Sequence, residues 1–141
     1  MLTRRCLSIF FLLVAVYYAQ AQSLSGTWYG FQVSRDNGQK NEYRITIEIT
    51  MVGIESFTGT MQLKSPQKGV ITSSFSGAID KTDNLIYLRE DKILTDGVEA
   101  TDASLCNYVL KLKKNVLKGK GRSMRKGYDH LTLHLERKES Y

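Results

Sequence analysis

Tyr43-Arg44-Ile45-Thr46-Ile47-Glu48-Ile49-Thr50-Met51 alternates without a break. Tyr43, Ile45, Ile47, Ile49 and Met51 take one phase, and Arg44, Thr46, Glu48 and Thr50 take the other. Successive side chains of an extended chain point to opposite faces, so this segment is a strand with one face in a core and one in water. The same signature returns near the C-terminus, where Leu131, Leu133 and Leu135 alternate with His130, Thr132, His134 and Glu136. A helical period produces neither pattern.

Between and before these two segments lie shorter runs over residues 27–34, 56–63, 70–79, 85–90, 105–113 and 116–123, each bounded by turn formers. Asp36-Asn37-Gly38, Val52-Gly53-Ile54, Ser65-Pro66-Gln67 and Lys81-Thr82-Asp83-Asn84 supply glycine or asparagine tolerance of positive φ, or a proline-fixed φ. Short links favour antiparallel neighbours. The expectation is all-β: eight sequential antiparallel strands, with at most one turn of helix between Gly97 and Ser104. Such a chain must hide its outer edges, either by closing into an up-and-down barrel or by stacking as an open two-sheet sandwich. Gly30, Gly59, Gly77, Gly119 and Gly121 fall inside strands, where glycine marks bends and close approach, and this favours the closed barrel.

The first 21 residues carry a different signal. Arg4 and Arg5 precede an apolar run from Leu7 to Tyr18, and Ala19-Gln20-Ala21 closes it with the small-residue pattern of a secretory cleavage site. The run is shorter than the ~20 residues that a membrane-spanning helix needs. Residues 1–21 are therefore expected to be a cleaved signal peptide, giving a periplasmic or secreted barrel domain over 22–141 with no transmembrane segment. Cleavage removes Arg4 and Arg5, which leaves 18 basic side chains against 14 acidic ones and a net charge of +4. It also removes Cys6, so Cys106 has no intrachain partner and is expected to be a buried free thiol beside Tyr108, Leu110 and Leu112.

Leu24-Ser25-Gly26-Thr27-Trp28 opens the first strand, and its G-x-W resembles the opening signature of lipocalins and related eight-stranded barrels. That resemblance implies a lipocalin-like fold in which an arginine near the end of the last strand packs across the tryptophan at the closed base. Leu133-His134-Leu135-Glu136-Arg137 offers Arg137 for the role. Phe57-Thr58-Gly59-Thr60 and Leu117-Lys118-Gly119-Lys120-Gly121 are similar to the strand-with-glycine repeats of small secreted bacterial members. Gly26-Thr27-Trp28-Tyr29 also matches avidin-like openings. Their biotin pocket needs an asparagine where this chain has Gly30, and further tryptophans where it has only Trp28.

The candidate ligand wall is the inward face: Tyr43, Ile45, Ile47, Phe57, Met61, Phe75, Tyr87, Tyr108, Leu110 and Leu133, with Leu131 beside them. An eight-stranded interior is just wide enough to be filled by side chains or to hold one small apolar ligand, and both outcomes stay open. If Trp28, Gly30 and Gln32 face inward, Tyr29, Phe31 and Val33 form an apolar stripe outside. No acid falls between Asp102 and Asp129, whereas Lys111, Lys113, Lys114, Lys118, Lys120, Arg122, Arg125 and Lys126 do. Lys118, Lys120 and Arg122 share an outward phase that could meet an anionic surface or an acidic protein.

His130 and His134 lie about 13 Å apart along a strand at ~3.3 Å per residue, too far to share a metal. Asp96, Glu99 and Asp102 lack the regular spacing of a calcium loop. No cofactor is implied, no nucleophile motif or paired carboxylates suggest catalysis, and aromatic interleaving is too thin for nucleic acid. The expectation is a monomeric, non-enzymatic binding protein for a small apolar molecule. The alternative is a protein–protein module acting through its outer surface or the loop from Lys92 to Ser104.

Overall fold

A computed structural model of the chain describes residues 24–36, 38–66, 69–95, 105–123 and 130–138. The expected signal peptide and the turn of helix expected between Gly97 and Ser104 lie outside these residues. Eight strands follow one another: β1 (Gly26–Asp36), β2 (Gln39–Met51), β3 (Ser56–Ser65), β4 (Gly69–Asp80), β5 (Leu85–Ile93), β6 (Cys106–Lys113), β7 (Val116–Ser123) and β8 (Leu131–Arg137). Each pairs antiparallel with its sequence neighbour, and β1 pairs with β8 from Trp28↔Arg137 to Ser34↔Leu131. The sheet is thus a closed up-and-down barrel. β2 starts earlier than its alternation does, because β1 and β2 stay paired out to Asp36↔Gln39. Backbone hydrogen bonding carries that polar hairpin beyond the core it covers.

Strand direction gives the barrel two unlike ends. The links at 52–55, 81–84 and 114–115 lie at the base, and the opposite end is the mouth. At the base, Leu24, Trp28, Ile49, Leu117 and Leu135 are buried together. The Trp28 Nε1–H donates to the Leu24 carbonyl at 3.0 Å, and the Arg137 guanidinium lies 4.6 Å above the indole. A cation over an indole face is attracted by its quadrupole, and here it also screens the ring from water. Burial lowers the Arg137 pKa from its ordinary value.

Higher up, Phe57 pairs with Gly77 and Phe75 with Gly59 across β3 and β4. Each ring lies over the glycine opposite, where a Cβ would collide with it, and the two rings meet edge to face at 6.1 Å and 69°. Tyr108 covers Gly121 in the same way across β6 and β7. Aromatic cover of strand glycines lets the sheet coil tightly while keeping the space above each glycine filled.

A bulge interrupts β5. Ser73 pairs with Ile93 and Phe75 with Glu90, so Asp91 and Lys92 together oppose the single residue Ser74. The extra residue keeps Ile93 facing inward with Ser73 while Glu90 faces inward with Leu88 and Ile86. Bulges re-aim side chains in this manner.

Candidate functional site

The middle and base of the barrel are filled. Ile47, Leu110 and Leu133 are 0% exposed, and Phe57, Phe75 and Tyr108 are 1% exposed, whereas a cavity of ligand size would leave free area on its lining. Ile45 and Met61 are buried with them, and Tyr43 sits half-buried above on the same face of β2. The sequence-derived wall is therefore mostly core.

Tyr87 is a correction. Its side chain is 43% exposed on the outside of β5, where Ile86 and Leu88 take the inner face. Residues 85–88 are all apolar or aromatic, so alternation alone cannot phase this strand. Glu90 decided it, through the carboxylate partners described next.

Toward the mouth the interior turns polar. Gln32, Ser34, Ser73 and Ser123 are buried there, with Cys106 and the largely enclosed Glu90. One Glu90 carboxylate oxygen accepts from the Ser73 hydroxyl at 2.7 Å, and the other accepts from the Cys106 backbone N–H at 2.7 Å. Gln32 Nε2 donates to the Tyr108 hydroxyl oxygen. The Cys106 thiol stands between Glu90 and Tyr108, so side chains from β1, β6, β5 and β4 form one connected belt around the upper barrel. Among the described residues no Lys or Arg pairs with Glu90.

Burial pushes the Glu90 carboxyl above its ordinary 4.5, against the Ser73 and Cys106 donors that favour its charged form. Burial likewise holds the Tyr108 hydroxyl well above its usual range, reinforced by the charges of Cys106 and Glu90 and opposed by the Gln32 donor. Tyr108 therefore keeps its proton as a hydrogen-bond donor. The belt can present the Glu90 carboxyl to the polar end of a small molecule, with the Gln32 and Tyr108 pair packed behind it. Sequence reasoning placed Tyr108 inside and left the phase of Gln32 open, and it missed Ser73 and Glu90. Only the β4–β5 register, with its bulge, brings those two face to face.

The Glu90 environment gives a pH signature. Since folding raises this carboxyl pKa, the native state retains the proton over a window above pH 4.5 in which the unfolded chain has released it. Its contribution to stability is fullest below 4.5 and is lost as pH rises through the folded pKa. Glu90→Gln should remove this slope, so the wild type is expected to lose stability relative to the variant as pH rises from 4.5 through the folded pKa. Urea unfolding across that range checks it, and parallel profiles would show that Glu90 ionises freely.

Outside, Lys111, Lys113, Lys118, Lys120 and Arg122 are all exposed, with Lys111 directly opposite Lys118. Tyr29 and Phe31 are each 41% exposed, while Trp28, Gln32 and Ser34 point inward. The first strand does carry its apolar stripe on the outside. Among the described residues no helix is long and apolar enough to cross a membrane, and no group of His, Cys, Asp or Glu is placed to hold a metal ion.

No protein-family model matches the chain, and no curated protein matches it. Solved structures do. A de novo designed fluorescence-activating β-barrel aligns at 15% identity and a TM-score of 0.61, over 84% of this chain and 96% of its own. A redesigned β-barrel aligns at 17% identity and 0.62, over 84% and 95%. The crystal structure of Rv2717c from M. tuberculosis aligns at 18% identity and 0.50, over 87% and 98%. At these identities the likeness is one of fold: an eight-stranded antiparallel barrel.

Proposed function

We propose that the protein is an exported, lipocalin-like binder of a small amphiphilic molecule, held in the mouth half of the barrel and not chemically altered there. The observation that carries this reading is the buried polar belt above a filled base. Burying carboxyl, amide and hydroxyl groups costs stability that an apolar core would not, and such groups with shifted pKa values concentrate at functional sites. The apolar part of the ligand would lie against the half-buried Tyr43, Leu63 and Ile71, and its polar end would meet Glu90, behind which Gln32 and Tyr108 hold each other. A donor on the ligand, such as an amine or hydroxyl, suits Glu90, which has no cationic partner among the described residues. The designed fluorescence-activating barrel supports the reading by its architecture alone.

The test uses N-phenyl-1-naphthylamine, which is apolar, carries one N–H donor and brightens when shielded from water. Saturable one-to-one binding is expected. Leu131→Trp, which narrows the mouth, should weaken it at least tenfold, and Tyr87→Ala on the outside should leave it unchanged. Absence of saturable binding, or equal binding by Leu131→Trp with its circular dichroism intact, would remove the barrel interior as the site.

A further inference from the structure

We propose that the outer face across β8, β1, β2, β3 and β4 is a second binding site, a groove for an acidic polysaccharide. The inference is independent of any ligand inside the barrel. Strand register lays two rows of side chains around this wall. The upper row runs Lys118↔His134↔Phe31↔Arg44↔Lys64↔Val70. The lower row runs Glu136↔Tyr29↔Thr46↔Gln62. The groove between and over them has a volume of about 550 Å³.

Three kinds of contact meet there, and together they select the occupant. Phe31 and Tyr29 lie two residues apart on one strand face, about 7 Å at ~3.3 Å per residue, and offer flat apolar surface on which the C–H face of a sugar ring can stack. Val70, 42% exposed, extends that surface at the far end. Thr46 and Gln62 supply neutral donors and acceptors suited to ring hydroxyls. Arg44, Lys64 and the neighbouring Lys118 place positive charge along the upper edge with the His134 imidazole among them, and Lys138 Nζ stands 5.7 Å from the Tyr29 ring. Among the described residues the one carboxylate lining the groove, Glu136, is 3.6 Å from His134.

A lipid surface fits this arrangement less well, because Thr46, Gln62 and Glu136 line the same groove as the rings and an acyl layer offers them no partner. Single-stranded nucleic acid would use the rings and the cations but has less use for Thr46 and Gln62. An acidic glycan uses all three.

The test measures binding of the purified protein to polygalacturonate, with dextran as the neutral control, at about 0.05 M salt, where exposed charges are only moderately screened. Binding to polygalacturonate and not to dextran is expected. Phe31→Thr, which keeps a strand-forming residue, and the pair Arg44→Gln with Lys64→Gln should each weaken it at least tenfold. Lys111→Gln with Lys113→Gln, outside the groove, should change it less than twofold. Nuclear magnetic resonance of the wild type, titrated with oligogalacturonate, should shift the ring signals of Tyr29 and Phe31, so the outcome does not depend on any variant folding. The proposal is overturned by absent polygalacturonate binding, by unmoved ring signals, or by full affinity in Phe31→Thr. Tighter binding to oligo-dT or to phosphatidylglycerol vesicles than to polygalacturonate overturns it as well.

Discussion

Trp28→Ala should lower the unfolding free energy by about 3–5 kcal/mol, as buried aromatic truncations do. The indole is 0% exposed at the point where the barrel closes at its base, so the surrounding strands cannot collapse far into the space it leaves. Two further losses accompany the cavity. The Leu24 carbonyl loses the Nε1–H that ties the segment before β1 to the base, and the Arg137 guanidinium loses the ring beneath it. The buried Arg137 Nε has no hydrogen-bond partner among the described residues, so that nitrogen supplies no compensating bond. Urea unfolding followed by far-ultraviolet circular dichroism measures the effect without the tryptophan signal that the substitution removes. A loss under about 1 kcal/mol would place the indole in a site able to repack around it.

Gly30→Ala should be nearly as damaging despite adding one methyl group. A Cβ at Gly30 would run into the His134 carbonyl oxygen, with the carbonyl carbon at 2.8 Å and the Leu135 Cα at 2.9 Å. All three are backbone atoms, so no side chain can rotate away. Relief requires β1 to move off β8 along the pairing that closes the barrel. Overpacking costs ~1–3 kcal/mol where side chains can adjust, and a backbone collision at the closing pair should reach or exceed the upper figure. For a domain of this size that corresponds to a fall of roughly 10 °C in melting temperature. Gly121→Ala is the comparison: its nearest neighbours are the Tyr108 ring and the Leu131 Cβ, side-chain atoms only, and it should cost less. Equal melting temperatures for Gly30→Ala and wild type would show that the closing pair is looser than its register implies.

How much of this was legible in the sequence varied from strand to strand. β2 and β8 were plain, because isoleucine or leucine holds one phase and polar residues the other, and burial follows that phase. The Trp28 and Arg137 contact rested on a resemblance, and the two residues now face each other in the β1–β8 register. The closed barrel was read from the strand glycines and holds, although pairing between the first and last strands itself leaves no local trace. β5 failed locally: Leu85, Ile86, Tyr87 and Leu88 satisfy either phase, so Tyr87 was assigned inside. The polar belt was hidden for a related reason. Ser73 shares the phase of Phe75 and Glu90 that of Ile86 and Leu88, but a serine and a glutamate within a strand carry no mark of a shared interior role until the β4–β5 register sets one against the other.

The pairing of β1 with β8 also dictates when the protein can become itself. Trp28 and Arg137 are about a hundred residues apart along the chain, and the entropy of closing such a loop must be met before their contact gives anything back. Until β8 is available, β1 has one free edge and Trp28 has no cation over it. A nascent chain emerging in order can therefore build hairpins but no complete barrel. Folding is confined to the moment after the last strand is released, and topology of this non-local kind makes that step slow. During synthesis the barrel therefore stays open at the β1 edge until its closing strand arrives.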